Sequence, residues 1–292
     1  MLLLTIISVP LVAVLVHQLI HASTAEPPPP DFGSGSMFDQ IASRYDMINR
    51  ILALRMDVGW RQQMVQVIQS HTKDITHPQL LDVATGTADV ALLMAKAIPS
   101  ATIIGVDPSR GMLDIGRQKI NAQGLDSQIR LEWGDAQDFH HLEPNTFDGA
   151  TMAFGIRNVP QRDVALCQIH RLLKPGAIFT ILEFSEPDDS FGLLGRIARL
   201  FIRHVVPVLG GMLSGAPREY LHLQNSIKDF PTPEEFAKLM TNLSCADSNG
   251  EGGRGGHYEV NKVVQLNFGS VQLYVAKAVG KEAATQPSGQ AA

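Results

Sequence analysis

The sequence has few cysteines, few charged residues and no excess of positive charge. Its two cysteines, Cys167 and Cys245, are too few for a disulfide framework and lie in helix-like segments, which predicts two buried free thiols. Charged residues make up 18% of the 292 residues, and the net charge is −5. This argues against a nucleic-acid-binding protein, which would carry a basic surface. We also predict no metal site, because we identify no metal-binding motif in the chain.

The N-terminal segment differs in composition from the rest. Residues 1–16 are apolar or small hydroxyl residues, but the run is short for a membrane span and Pro10 interrupts it. No Lys or Arg precedes the run, which fits neither a standard secretory signal nor an amphipathic mitochondrial presequence. We therefore predict a signal or membrane-anchor segment at 1–22, a Pro/Gly/Ser linker at 23–36, a folded domain at 37–278 and a disordered tail at 279–292.

Apolar runs alternate with segments of helical spacing through the middle of the chain. The runs at 79–85, 101–107, 129–135, 147–155 and 177–184 predict strands, and the segments between most of them predict helices. This alternation predicts an α/β, doubly wound, Rossmann-like fold with a parallel sheet covered on both faces. Two more apolar runs joined near Gly269 predict a C-terminal antiparallel hairpin, which brings the sheet to seven strands.

The turn after the first strand reads LDVATGTADV and is the predicted cofactor site. Gly86 lets the backbone turn sharply, and Asp107 and Asp135 end the next two strands, where a carboxylate can accept hydrogen bonds from ribose hydroxyls. A dinucleotide needs the G-x-G-x-x-G pattern for its pyrophosphate, and only Gly86 is present here. S-adenosylmethionine has no phosphate and is favoured. The alternative is a glycine that only terminates a turn.

Several stretches resemble the quinone-biosynthesis C-methyltransferases, which methylate polyprenyl benzoquinol and demethylmenaquinol rings. The resemblance covers about 37–278 and rests on FDQIASRYDMINRILAL, WRQQM, LDVATGTADV, VDPSRGMLDIGRQK, FDGATMAFGIRNV, IHRLLKPGAIFTILEFSEP and REYLHLQNSI. It implies a class I methyltransferase fold, and S-adenosylmethionine bound by Thr87, Asp107 and the pair Asp135–Ala136. It also implies methylation of a ring carbon in ubiquinone, menaquinone or phylloquinone synthesis. Ala153 stands where relatives often have a serine that touches the cofactor.

Arg157 and Asn158 follow the fourth strand and are the predicted catalytic residues. Because a nearby cation lowers the pKa of a hydroxyl group, Arg157 is expected to stabilise the quinolate while Asn158 orients the ring. A salt bridge from Arg157 to Asp148 or Glu183 is the alternative. The candidates for the general base are a water molecule, Tyr45, Asp46 and His222. Tyr45, Tyr220 and Glu183 are predicted to contact the substrate, with Tyr220 equally suited to a core position.

Residues 191–213 form a long apolar segment that carries Arg196, Arg199 and Arg203. It is expected to lie at a membrane interface, to cap the core, or both. The predicted partners are a polyprenyl quinol, a membrane surface and other quinone-biosynthesis proteins, at the mitochondrial inner membrane or in a plastid. Two alternatives stay open: a methyltransferase of another lipophilic acceptor, and a catalytically silent scaffold in a quinone-synthesis complex.

Overall fold

A seven-stranded sheet forms the centre of the computed structural model, which describes residues 35–245 and 256–280. The strand order is β3-β2-β1-β4-β5-β7-β6. The strands are β1 Gln79–Val83, β2 Thr102–Asp107, β3 Ile129–Trp133, β4 Phe147–Ala153, β5 Leu173–Phe184, β6 His257–Leu266 and β7 Val271–Val279. β1 to β5 run parallel, and β7 lies antiparallel between β5 and β6. This confirms the doubly wound class I methyltransferase fold with its C-terminal hairpin.

Helices cover both faces of this sheet, as expected for parallel strands that are buried on both sides. They are α1 Gly35–Leu52, α2 Met56–Thr72, α3 Asp89–Ala97, α4 Arg110–Ala122, α5 Arg162–Leu172, α6 Gly192–Leu200, α7 Val206–Ser214, α8 Pro217–Lys228 and α9 Pro233–Asn242. Ser109 is the N-cap of α4, because its side chain accepts a hydrogen bond from the N–H of Met112. The predicted segment 1–22 lies outside the described residues, as does most of the predicted linker. The tail predicted at 279–292 begins one residue too early, because Val279 is the last residue of β7, and residues 281–292 lie outside the described residues.

The core consists of two large apolar clusters. One contains Leu81, Phe147 and Phe179, and the other contains Leu80 and Ile103, all of which are almost fully buried. Leu80 and Leu81 are consecutive in β1 yet fall in different clusters, because successive side chains of a strand point to opposite faces. This explains why the strands read as continuous apolar runs rather than as alternating ones.

The prediction of two free thiols is wrong, because Cys167 and Cys245 form a disulfide bond. Cys167 lies in α5, whereas Cys245 lies beyond the end of α9 and pairs with Gly256 through its backbone. The two residues are 78 positions apart in sequence, and only the packing of α9 and β6 beside α5 brings them together. A count of cysteines contains no information about such a tertiary contact.

The long apolar segment at 191–213 is helical and contains a change of helix type. α6 ends at Leu200, a π-helical turn covers Phe201–Val205, and α7 follows. In the described part of the chain, Asp189–Ser214 is the helical stretch that is long and apolar enough to cross a membrane, judged by length and composition alone. Only 22% of its most apolar window is buried inside the protein.

Candidate active site

The turn after β1 has an unusual backbone that opens one edge of the sheet. Ala84, Gly86 and Ala88 all have positive φ, at 51°, 56° and 67°. The space around the Cα of Gly86 is open, with no atom of a non-neighbouring residue within 4 Å of an added Cβ. A ligand can therefore approach the main chain at Gly86, as predicted from the sequence.

Asp107 lies at the end of β2 and faces this turn. Its Oδ2 accepts a hydrogen bond from the N–H of Gly86 at 2.8 Å, and its Oδ1 accepts one from the N–H of Ser109 at 2.8 Å. Burial raises the pKa of Asp107 to about 6, although both N–H groups act in the opposite direction. Since each carboxylate oxygen has a second lone pair, Asp107 can still accept hydrogen bonds from two ribose hydroxyls.

Asp135 and Ala136 follow β3 at the same edge of the sheet. Asp135 is exposed, and its Oδ1 accepts a hydrogen bond from the N–H of Gln137 at 2.9 Å. Ala136 is buried. Together with Asp107 and the open backbone at Gly86, these residues supply acceptors for hydroxyl and amino groups. This set of described residues does not form a glycine-rich phosphate-binding loop. The set of donors and acceptors fits a nucleoside cofactor such as S-adenosylmethionine.

Thr87 is connected to helix α1 through a partly buried polar network. Its Oγ1 donates to Oδ1 of Asp46 at 2.6 Å and accepts from Nζ of Lys119 at 3.1 Å. Lys119 and Arg50 also bind the carboxylate of Asp89. Burial alone would raise the pKa of Asp89, but the neighbouring cations, Lys119 first, outweigh it and the net shift is downward. Asp46, which the sequence suggested as a base, therefore belongs to this network. It does not line the apolar cavity beside the end of β4.

A cavity of about 440 Å³ lies between α1, α2, α6 and α8, next to the end of β4. Its walls are mostly apolar side chains such as Phe38, Trp60, Phe154, Phe201 and Leu223. In the described part of the chain, Gly86, Thr87, Asp107, Asp135 and Ala136 do not line it. The cavity and the cofactor turn therefore lie at the same edge of the sheet and are lined by different residues.

Arg157 reaches this cavity from a 3₁₀ turn, Ile156–Asn158, that follows β4. Its Nη1 donates to the carbonyl oxygen of Phe154 and to Oε1 of Glu183, both at 2.7 Å. Its Nε is buried and has no hydrogen-bond partner among the described residues. The guanidinium therefore retains an unused donor although it is paired.

Glu183 lies behind Arg157 and not in the cavity wall. It is fully buried, and its Oε2 also accepts a hydrogen bond from the backbone N–H of Arg157 at 3.2 Å. The expectation that Glu183 contacts the substrate is corrected by this geometry, because both carboxylate oxygens bind the 157 segment. The alternative considered for Arg157, an ion pair with Glu183, is present, whereas Asp148 pairs with Lys174.

Asn158 and His222 form a polar pair on the cavity wall. The distance from Nε2 of His222 to Oδ1 of Asn158 is 3.3 Å, which fits a hydrogen bond in the tautomer that carries its proton on Nε2. Burial, followed by the positive charge of Arg157, lowers the pKa of His222. The imidazole is therefore neutral at pH 7. It can accept a proton from a substrate hydroxyl only if a neighbouring charge, such as that of Arg157, lowers the pKa of that hydroxyl.

Tyr45 and Tyr220 lie on the same wall. The hydroxyl of Tyr220 is buried without a partner among the described residues, and burial raises its pKa above the usual value. Burial also raises the pKa of Tyr45, against the effects of Arg157 and Arg61. A buried hydroxyl without a partner costs free energy, so a polar group of a ligand would be stabilised beside Tyr220.

The structure brings the predicted residues Arg157, Asn158, Tyr45 and Tyr220 together in one cavity. The sequence analysis did not identify Arg61, which also lines the cavity with its guanidinium 5.4 Å from the centre of the Phe154 ring. The signal was available, because Arg61 lies in the quoted stretch WRQQM.

Three comparisons with known proteins bear on this arrangement. The model of the ubiE/COQ5 methyltransferase family matches residues 33–251. A demethylmenaquinone methyltransferase of Deinococcus radiodurans is 39% identical over 204 residues, which cover 70% of this chain and 81% of that protein. A ubiquinone/menaquinone biosynthesis C-methyltransferase, UbiE, of Geobacter sulfurreducens is 40% identical over 215 residues, covering 73% of this chain and 80% of that protein.

Solved structures share the fold at low sequence identity. A Methanococcus maripaludis protein described as an S-adenosyl-L-methionine-dependent methyltransferase has a TM-score of 0.52 at 16% identity, covering 89% of this chain and 99% of that one. The [4+2]-cyclase SpnF also has a TM-score of 0.52 at 16% identity, covering 85% and 95%. Since one of the two is a cyclase by name, the fold alone does not define the reaction.

Proposed function

Because the chain belongs to the ubiE/COQ5 methyltransferase family, we propose that it transfers a methyl group from S-adenosylmethionine to a ring carbon of a polyprenyl quinol. The observation that carries this proposal is the position of Arg157, a buried guanidinium with an unused donor on the wall of an apolar cavity. A quinol has an oxygen for the cation, and its prenyl tail suits the apolar wall. The relatives named above support the quinone part of the proposal.

The cofactor supplies an electrophilic methyl group on a sulfonium. Asp107 would hold the ribose hydroxyls, and Asp135 and Ala136 would border the base. Gly86 leaves room beside the main chain for the cofactor. Thr87 keeps the turn in place through Asp46 of α1. The work of these residues is positioning, which is the main requirement of a displacement in line with a departing sulfur.

The residues of the cavity make the ring carbon nucleophilic. Arg157 lowers the pKa of a ring hydroxyl, because its charge favours the quinolate. A base would take up the hydroxyl proton. The ring carbon would then accept the methyl group that the cofactor supplies, with the methyl–sulfur bond breaking so that S-adenosylhomocysteine leaves. The proton on that carbon would pass to a base and the quinolate oxygen would regain a proton, which restores the aromatic quinol. Tyr45, His222 and a water molecule are the candidates for the base, since Asp46 lies in the network at Thr87.

The proposed substrates are 2-methoxy-6-polyprenyl-1,4-benzoquinol and demethylmenaquinol or demethylphylloquinol. A cavity of about 440 Å³ is within the usual range of small-molecule sites and suits a ring with the first part of its tail. The relatives named above include proteins with both menaquinone and ubiquinone in their names. The choice between a benzoquinol and a naphthoquinol is therefore the first question for experiment.

The test is incubation of the full chain with S-adenosylmethionine and short-chain benzoquinol and naphthoquinol acceptors under reducing conditions. We expect one acceptor class to gain a methyl group on a ring carbon, located by fragmentation in mass spectrometry. Methylation on oxygen, or none on either acceptor, would overturn the proposal. If neither acceptor is methylated, calorimetry with S-adenosylmethionine separates a silent scaffold, which need not bind the cofactor, from an enzyme that methylates another acceptor.

We further propose that the protein works at a membrane surface, alongside other quinone-biosynthesis proteins. The support is the exposed apolar helix Asp189–Ser214, together with the apolar run at 1–16 in the sequence. The relatives named above are bacterial. The mitochondrial inner membrane and the plastid therefore stay predictions, and residues 1–34 lie outside the described part of the chain.

A further inference from the structure

Large apolar side chains from three separate segments lie around the cavity and are exposed in the part of the chain that the structure describes. We name them the docking face: Leu54, Leu193, Leu194, Ile197, Leu200 and Phe268. Leu54 is 71% and Leu193 is 73% exposed, which is unusual for leucine in a folded domain. A contiguous exposed apolar patch marks an interaction site.

The docking face is continuous with the cavity. Four of its members, Leu54, Leu194, Ile197 and Phe268, also line the cavity wall. Helix α6, which carries Leu193, Leu194, Ile197 and Leu200, contacts the hairpin turn Asn267–Gly269, which carries Phe268. An apolar group can therefore pass from the outer surface to the cavity without leaving apolar contact.

Positive charge lies beside this apolar surface. Residues 190–218 contain Arg196, Arg199, Arg203 and Arg218 and no Asp or Glu, in a chain whose net charge is −5. Arg199 and Arg203 form ion pairs with Asp189 and Glu186, which precede this range. Arg196 is 69% exposed, and its Nε is 3.9 Å from Oδ1 of Asp189, so it is the arginine of α6 with the weakest pairing. Long arginine side chains can extend from an apolar surface to reach phosphate groups, so the segment is complementary to anionic lipid headgroups.

We propose that the docking face rests on a lipid bilayer that contains anionic lipids. This inference rests on the proposed function, because a polyprenyl tail in the bilayer could then enter the cavity at Ile197 and Phe268 without crossing water. The charge of the segment favours an anionic bilayer over a second copy of this chain, since two copies would bring the same arginines together. A second copy and the N-terminal apolar segment are the competing occupants in the test.

The position of the face is tested by tryptophan quenching in the full chain. Leu193→Trp places a probe at the centre of the face, and Asp126→Trp places a matched exposed probe at the opposite edge of the sheet, just before β3. Vesicles of phosphatidylcholine and phosphatidylglycerol with brominated acyl chains quench a tryptophan that lies in the bilayer. We expect the additional fluorescence of Leu193→Trp over wild type to be quenched about twofold or more, and that of Asp126→Trp to be unaffected.

Equal quenching of the two probes would mean anchoring by the N-terminal segment alone and would overturn the proposal. Absence of quenching at Leu193→Trp would overturn it as well, and a dimer detected by light scattering would then assign the face to a second copy. Arg196→Gln should weaken binding to anionic vesicles and flatten its salt dependence. Arg117→Gln on α4 is the matched control, because it removes another partly exposed arginine.

Kinetics separate this proposal from the proposed function. Leu193→Gln/Leu200→Gln changes two exposed residues that do not line the cavity. We expect an increase of about tenfold in KM for a long-chain quinol in vesicles, and no change with a soluble short-chain quinol. An unchanged KM in vesicles would overturn the docking face. If the wild type methylates no quinol at all, the proposed function fails, whereas the quenching pattern still decides the docking face.

Discussion

At the scale of single residues, Arg157 has a structural partner and a proposed catalytic task at the same time. Its ion pair with Glu183 is buried, with exposed side-chain fractions of 5% and 0%. Removing one member of a buried pair costs about 3–5 kcal/mol, because the other charge is left without compensation. A single substitution at Arg157 therefore cannot distinguish a folding defect from a catalytic one.

We predict that Arg157→Gln and Arg157→Gln/Glu183→Gln both lower kcat about 100-fold, the loss expected when a group that stabilises developing charge is removed. The single variant should also lose several kcal/mol of unfolding free energy, and the double variant should recover most of it, since neither charge is then left unpaired. Urea unfolding and kcat at saturating short-chain quinol are the measurements. Recovery of kcat together with stability in the double variant would leave Arg157 with a structural role only.

Asp107 predicts a dependence of cofactor binding on pH. Its pKa is raised from 3.8 to about 6 by burial, so the group is ionised above pH 6 and protonated below it. A protonated carboxyl group accepts fewer hydrogen bonds from ribose hydroxyls. Since one pH unit corresponds to a tenfold change in the ionised fraction, we expect S-adenosylmethionine to bind roughly tenfold more weakly at pH 5 than at pH 7.5 by calorimetry.

The control for this prediction is Asp107→Asn, which should bind weakly at both values of pH with a ratio near one. Asp82 also has a pKa of about 6 and bonds to Thr85 of the same turn. Asp82→Asn should therefore retain the pH dependence if Asp107 is its source. The same shifts act on folding: because the folded pKa values lie above the unfolded ones, the stability from these two groups is present below about pH 4 and is lost as the pH rises through 6.

At the scale of elements, the contact between α7 and α8 sets the position of Tyr220. A Cβ at Gly210 would lie 2.1 Å from the Tyr220 ring, so the two helices approach at a distance that only glycine allows. We predict that Gly210→Ala costs about 1–3 kcal/mol in unfolding free energy and raises KM for the quinol, because the ring must move.

Gly59 in α2 offers the matched control. It has no atom within 4 Å of an added Cβ, so Gly59→Ala should stabilise the helix by about 0.5–1 kcal/mol. Thermal unfolding and KM measured on both variants check the pair. An unchanged KM in a destabilised Gly210→Ala protein would show that Tyr220 does not form part of the substrate site.

The elements were largely predictable from the sequence, because buried parallel strands give continuous apolar runs. The start of β5 was not: the apolar run predicted a strand at 177–184, but β5 begins at Leu173, which pairs with Phe147 of β4. The π-helical turn at Phe201–Val205 was not predicted either, since a continuous apolar segment shows no interruption there. Local patterns indicate an element but do not show how neighbouring elements shift its ends.

The site was predictable where strand order alone decides the position. Gly86, Asp107 and Arg157 all follow strands of a parallel sheet, so they meet at one edge. The partner of Arg157 was left open between Asp148 and Glu183, but strand direction favours one of them. Asp148 lies at the start of β4, and Glu183 lies near the end of β5, on the same side as Arg157. The pairing of Ala153 with Leu182 makes Glu183 the nearer carboxylate.

At the scale of the whole molecule, the disulfide connects the sheet layer to the elements that enclose the cavity. The loop between Cys167 and Cys245 contains β5 and the helices α6 to α9, and with them Glu183 and Tyr220. The bond therefore constrains the part of the cavity wall that α6 to α8 supply, through one link between α5 and the segment after α9. A bond of this kind persists in oxidising compartments and is reduced in most cytosols.

We predict that reducing this bond lowers the stability of the folded protein without dismantling the cofactor turn, which lies before Cys167 in the chain. For a loop of 78 residues the chain-entropy model gives a loss of about 4 kcal/mol, equivalent to roughly 10 °C in Tm for a domain of this size. Thermal unfolding with and without dithiothreitol is the measurement, and Cys167→Ala/Cys245→Ala is the control that should not respond to the reductant.

Alkylation before and after reduction counts the free thiols in the purified chain. Two free thiols in protein never exposed to a reductant would contradict the bond, whereas none would favour synthesis in an oxidising compartment, because such bonds are rare in the cytosol.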